Sequence, residues 1–250
     1  MPIDHFSYRD QRSFSLRYLI NKDLWQPNRP ILFGAGCEGN IEDFAGGWGW
    51  MWTLAEELGA MVLFVEHRYY GASLPFGNQS FVSLENLGYC SSEQALADYA
   101  TVVQYVKAQE LSVKSKVVVF GGSYCGALSA WLRTKYPNMV DGSVASAAPV
   151  KAYIGLATDQ FVYFAVVTRT FRLSGPNCDQ KVKAAWPALR RMIETEAGRK
   201  WINGQFRFCS SSQVGPRDGT QLIHWLRVAT MNLAIFDYPV PFLGHAWPCK

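Results

Sequence analysis

The stretch Val117-Val118-Val119-Phe120-Gly121-Gly122-Ser123-Tyr124-Cys125-Gly126-Ala127-Leu128 decides the fold of this chain. Its apolar, mostly β-branched start predicts a strand buried on both faces. The segment from about Gly126 to Tyr136 predicts a helix, closed by Pro137. Ser123 sits on the turn between them. A serine hydroxyl is a weak nucleophile unless a neighbouring base takes its proton. A strained strand-to-helix turn projects it above the C-terminal edge of a sheet, beside the backbone N–H of the next residue. Such a turn needs small residues, because strand and helix pass close together. Gly121, Gly122 and Gly126 supply them. Cys125 departs from G-x-S-x-G, occupying the place of its second glycine. The competing reading is a glycine-rich turn with an incidental or phosphate-binding serine. The strand before and the helix after favour a nucleophile.

Working outward, Phe14 to Ile20 predicts a strand. Ile31 to Phe33 predicts a short buried strand stopped by Gly34-Ala35-Gly36. Trp50 to Leu58 predicts a helix with Gly59 as its C-terminal cap. Ala60 to Val65 is apolar without alternation, as a doubly buried strand should be. Ser92 reads as an N-cap before a helix in which Leu96, Tyr99, Val103 and Val106 recur at helical spacing. Asp141 to Ala147 predicts one more strand. Strands separated by long helices imply an α/β fold with a mostly parallel sheet. After Val150 the character changes. Residues 152–173, 179–198 and 219–236 read as helices without strands between them. The expected organisation is a sheet domain over 1–150 and a helical region over 151–250.

The chain has 250 residues, 49% hydrophobic and 18% charged, enough apolar material for a sizeable core. A formal net charge of +4, with scattered basic residues, gives no sign of a nucleic-acid partner. No apolar run approaches the roughly 18 residues a membrane-spanning helix needs. The six cysteines, Cys37, Cys90, Cys125, Cys178, Cys209 and Cys249, lack zinc-site spacing. No metal or other cofactor is expected. Their pairing is not legible, although Cys37 and Cys125 both fall near the expected site and could join. Asn78-Gln79-Ser80 is a glycosylation sequon in a loop-like stretch. Sequon and cysteines favour an oxidising compartment. The start, Met1-Pro2-Ile3-Asp4-His5, lacks the features of an export signal. Either the protein is cytosolic or the chain lacks its true beginning.

A serine nucleophile needs a histidine base and an orienting carboxylate, in this fold in the order Ser, Asp or Glu, His. After Ser123 only His224 and His245 remain. His224 falls inside a predicted helix and reads as structural. His245 lies on a loop near the terminus, where Asp237 could orient it. The second oxyanion donor comes from a loop after an earlier strand. Gly34-Ala35-Gly36-Cys37-Glu38-Gly39 is the candidate.

Several longer motifs resemble the prolyl-specific serine exopeptidases, the family of lysosomal Pro-X carboxypeptidase, dipeptidyl peptidase II and thymus-specific serine protease. They are Asp4-His5-Phe6, Glu66-His67-Arg68-Tyr69-Tyr70-Gly71-Ala72-Ser73-Leu74-Pro75-Phe76-Gly77, Ser92-Glu93-Gln94-Ala95-Leu96-Ala97-Asp98 and Gly121-Gly122-Ser123-Tyr124. Lys135-Tyr136-Pro137, Ser174-Gly175-Pro176-Asn177-Cys178 and Asp237-Tyr238-Pro239 follow in register. The resemblance implies an α/β-hydrolase domain with a helical cap, lysosomal or secreted residence, and a peptide substrate cut after proline or a small residue near its end. It implies Ser123 as nucleophile and Tyr124 as oxyanion donor through its N–H, supported by Gly36, Cys37 and Glu38. Cys37 departs from the family's frequent Gly-Asn-Glu-Gly. Glu66, His67 and Arg68 are expected to form a structural network at a strand end. The family's catalytic Asp and His would lie beyond the position of Lys250, and its signal peptide before Met1. The expected chain is therefore truncated and inactive alone, with a bare parallel sheet edge. A homodimer of the complete protein is a further expectation, as is, alternatively, a non-catalytic peptide-binding product of the same fold.

Overall fold

The computed structural model describes residues 1–109, 114–153, 155, 159, 161–206 and 208–237. The chain divides into two compact units, Met1–Gly155 and Leu156–Lys250.

The first unit is built on a five-stranded sheet. In chain order its strands are β1 (Tyr18–Asn21), β2 (Ile31–Ala35), β3 (Met61–Val65), β4 (Val117–Gly122) and β5 (Gly142–Ser146). They lie side by side in the order β1-β3-β2-β4-β5. All neighbours are parallel except β1, which runs antiparallel along β3 with Tyr18 opposite Val65. β2 and β3 are buried at every residue. Alternation along each strand sends side chains to opposite faces. Ile31, Phe33, Met61, Leu63, Val117 and Val119 pack on one face, against α4 (Ser92–Gln109) and α5 (Ser123–Lys135). Leu32, Val62, Phe64 and Phe120 pack on the other, with Met51 and Ala55 of α2 (Gly49–Leu58). A fully buried residue such as Leu63 contributes about 1.5–3 kcal/mol of transfer free energy, so helices on both faces make this sheet the core. β5 is the edge strand, and its last three residues are exposed.

Local chemistry sets the boundaries. Gly59 takes the left-handed conformation (φ 59°) and caps α2, as its position predicts. α4 begins at Ser92, so Ser92 is its first helical residue. The cap is Ser91, whose Oγ accepts from the Gln94 N–H at 3.4 Å. The strand expected from Phe14 forms only from Tyr18, where the ladder with β3 begins at Val65; among the described residues Ser13 makes a single bridge with Pro2. Two short helices, α1 (Ile41–Gly47) and α3 (Leu84–Leu87), are too short for hydrophobic spacing to reveal.

The second unit is helical among the described residues: α6 (Val162–Leu173), α7 (Cys178–Glu194), α8 (Glu196–Phe206) and α9 (Gly219–Ile235). Val167, Phe171 and Cys178 form one small core, and Ile193, Ile202, Val214 and Leu222 another. The single helix expected over 179–198 ends at Glu194. Thr195 turns extended (φ −105°, ψ 147°), and its Oγ1 accepts from the Gly198 N–H at 3.1 Å, starting α8. Side-chain capping thus splits what hydrophobic spacing reads as continuous. α6 starts about ten residues later than the expected helix over 152–173.

Candidate active site

The turn between β4 and α5 is tighter than the sequence implies. α5 begins at Ser123 itself, not near Gly126. Ser123 adopts φ 55°, a left-handed conformation that costs a non-glycine residue about 1–3 kcal/mol. It is exposed, while Gly121 before it and Cys125 after it are buried. A Cβ on Gly121 would lie 2.0 Å from the Cys125 carbonyl oxygen, and one on Gly126 2.8 Å from the Ser146 carbonyl oxygen. Both positions therefore require glycine. Gly122 does not: an added Cβ there meets nothing within 4 Å. The N–H groups of the first turn of α5, including that of Tyr124, have no acceptor within the helix and suit an anion.

β2 lies beside β4, with Gly34 opposite Phe120. Their C-terminal loops therefore emerge side by side. Gly36 and Cys37 are buried, and Glu38 is exposed. A Cβ on Gly36 would lie 2.4 Å from the Val65 carbonyl oxygen, so close passage to β3 dictates this glycine. Tyr99 on α4 donates its hydroxyl to the Gly36 carbonyl at 3.0 Å. Cys37 and Cys125 form a disulfide, with Cα atoms 5.0 Å apart and a sequence separation of 88. The departure from the family's Gly-Asn-Glu-Gly at Cys37 and the departure from G-x-S-x-G at Cys125 are thus one covalent feature. The described free cysteines, Cys90 and Cys209, are exposed.

A polar network backs the turn. The Tyr124 hydroxyl lies 3.0 Å from His67 Nε2, and His67 Nδ1 lies 2.6 Å from the Arg68 carbonyl oxygen. A carbonyl only accepts, so Nδ1 carries the proton, and Nε2 accepts from Tyr124. Burial lowers the His67 pKa, holding the ring neutral; the Arg68 carbonyl and the Asp98 charge oppose this incompletely. Burial raises the Tyr124 pKa and keeps its hydroxyl protonated. Glu66 accepts from Ser73 Oγ at 2.7 Å, Ala72 N–H at 3.1 Å and Ile41 N–H at 3.2 Å. Arg68 donates to both oxygens of Asp98 and to the Ile3 carbonyl. His5 Nε2 sits 2.7 Å from Asp98, and its backbone N–H donates to Gln94. The motifs at 4–6, 66–77 and 92–98 therefore meet around one buried carboxylate. Single-residue reasoning missed that convergence; their common presence as charged motifs was the available signal.

The structure brings Ser123, Tyr124, Gly36 and Cys37 to the C-terminal edges of β4 and β2, with Glu38 next in the loop. It does not bring a described histidine to Ser123 in the first unit. His5 is committed to Asp98, and both nitrogens of His67 are engaged. His224 lies on α9 of the second unit, its Nδ1 3.2 Å from Arg227 Nη2. His245 falls outside the described residues; Asp237 is described, following α9. Asn78 of the sequon is exposed.

A mostly parallel sheet with helices on both faces, and a strained serine turn at the C-terminal end of β4, define an α/β-hydrolase-type fold. The serine carboxypeptidase S28 family matches residues 1–247, and the chain belongs to that family. It is 42% identical over its whole length to prolyl carboxy peptidase like protein 5 of Caenorhabditis elegans, covering 50% of that protein. It is 41% identical to human lysosomal Pro-X carboxypeptidase, over 99% of this chain and 51% of the human protein. The chain thus spans about half the length of these curated relatives. Among solved structures, proline iminopeptidase of Mycobacterium smegmatis aligns over 87% of this chain and 69% of its own, at 15% identity and a TM-score of 0.44.

Proposed function

We propose that this chain carries the nucleophile and the oxyanion-binding part of a serine exopeptidase that cleaves peptides after proline or a small residue near a chain end. The observation that carries the reading is Ser123, exposed at φ 55° as the first residue of α5, directly after β4. Its hydroxyl attacks the scissile carbonyl and forms an acyl-enzyme, which water then hydrolyses. The Tyr124 N–H and an N–H of the Gly36-Cys37-Glu38 loop receive the charge on the carbonyl oxygen. The general base and its carboxylate come from outside the first unit, because His5 and His67 are both committed elsewhere. In this reading they follow residue 250, the present chain alone is nearly inactive, and residues 151–250 form part of a cap that restricts access to peptide ends. The names of the relatives support lysosomal or secreted residence, in which Asn78 carries a glycan.

A fluorophosphonate probe tests this reading on the longest natural form of the protein. Labelling that disappears in Ser123→Ala supports it. A folded protein that cuts no proline-containing peptide and takes up no probe overturns it, and favours a non-catalytic peptide-binding protein. The 250-residue chain should label at most weakly; strong Ser123-dependent labelling would place the base within it and make His245 and His224 the next targets.

A further inference from the structure

The oxyanion donors of this fold sit on two segments far apart in sequence. One is the N-terminus of α5. The other is the loop after β2, where hydrogen bonding between the strands has ended: the β2–β4 ladder stops at Gly34 and Phe120. Beyond it the loop is glycine-rich, and its anchors are few. Gly39 N–H turns back to the Cys37 carbonyl at 2.9 Å, and Tyr99 holds the Gly36 carbonyl from below. Neither contact fixes the loop against the serine turn. The disulfide does. It joins Cys37, at the centre of the loop, to Cys125, two residues past the nucleophile. The Cys125 sulfur lies 2.9 Å from the Gly122 carbonyl oxygen, directly beneath the turn. Cys37 is 6% and Cys125 1% exposed, so the bridge is buried while Ser123 beside it is exposed.

We propose that the Cys37–Cys125 disulfide is a positioning element of the oxyanion hole, setting the separation between the N–H donors of the Gly36-Cys37-Glu38 loop and of Tyr124. This rests on the serine-peptidase reading of Ser123. Donors act on the transition state only when they are aimed at the developing oxyanion before it forms. A covalent tie between the two donor segments supplies that aim and removes their relative motion. The substrate's ground-state carbonyl depends on it far less, so the bridge acts on kcat and not on KM.

The test compares the longest natural form with its Cys37→Ser/Cys125→Ser variant, both verified as folded by near-ultraviolet circular dichroism. Loss of a fully aimed donor costs roughly 100- to 1,000-fold in kcat, and a loosened one should cost about 10-fold or more, with KM within about 2-fold. Binding of a peptide aldehyde, which forms an oxyanion on Ser123, should weaken by a similar factor, while binding of the product peptide should not change. Should the double variant misfold, non-reducing peptide mapping of the wild type after thiol blocking still decides the issue: blocked thiols at both positions would overturn the proposal. A folded variant with unchanged kcat and unchanged aldehyde binding would also overturn it, leaving the peptidase reading intact. If the wild type, with its bridge mapped intact, neither cleaves peptide nor takes up fluorophosphonate, the peptidase reading itself has failed, and this proposal falls with it.

Discussion

Arg68 grips Asp98 at two points, Nε to Oδ2 at 2.7 Å and Nη2 to Oδ1 at 2.8 Å, and both side chains are completely buried. Arg68 begins just past the end of β3 and Asp98 sits in the second turn of α4, so the pair locks helix to sheet behind the serine turn. Removing one partner leaves an uncompensated buried charge, at about 3–5 kcal/mol. Asp98→Ala should therefore cost about that much in denaturant-induced unfolding. A loss below about 1 kcal/mol would mean that water reaches Arg68 in the variant and that the pair does not hold the motifs together.

The serine turn predicts opposite outcomes at adjacent glycines. Gly121→Ala drives a methyl into the Cys125 and Gly126 backbone, which cannot rotate away. It should destabilise by about 1–3 kcal/mol or more and abolish fluorophosphonate labelling. Gly122→Ala meets open space at an extended φ of −117°, and its thermal unfolding should match the wild type to about 0.5 kcal/mol. Equal effects at the two positions would contradict the turn geometry.

His67 imposes a pH dependence of known sign. Its folded pKa is lowered by burial, while in the unfolded chain it titrates near 6.5. The unfolded state therefore binds the extra proton first as pH falls. Stability from the neutral ring is fully present above about 6.5 and is lost progressively below it, toward the lower folded value. His67→Gln keeps an acceptor for Tyr124 but cannot titrate. Between pH 7 and 5 the wild type should lose more unfolding free energy than this variant. Parallel pH profiles would show that His67 is not held neutral.

The edge strand predicts self-association of the 250-residue chain. β5 hydrogen-bonds to β4 alone among the described residues, and Val144 on it is 48% exposed. An unpaired parallel edge templates pairing with another chain, and a lysine at the edge blocks it. Val144→Lys should shift sedimentation toward monomer without lowering the melting temperature. Unchanged association would place the sticky surface elsewhere.

The sequence determined the elements whose signals are local. Consecutive apolar residues marked β2, β3 and β4. Gly59 marked the end of α2, and the glycines around Ser123 marked the serine turn. It also determined the family, because motifs of seven to twelve residues are too long to arise by chance. What it could not determine are relationships between residues that no local rule connects. The close fit of α5 against the sheet depends on Gly126 passing the backbone of Ser146 on β5, while Gly121 meets only the first turn of α5 itself. The split between α7 and α8 is a local capping event at one threonine hydroxyl, hidden where hydrophobic spacing alone reads one helix. The tie between Cys37 and Cys125, and the buried pair of Arg68 and Asp98, span 88 and 30 residues. Sequence supplied each partner, but only the parallel packing of β2 beside β4, and of α4 against the sheet, brought them within bonding distance. Composition and periodicity are read one segment at a time, whereas a covalent bridge or a desolvated ion pair exists only where two segments share the same space.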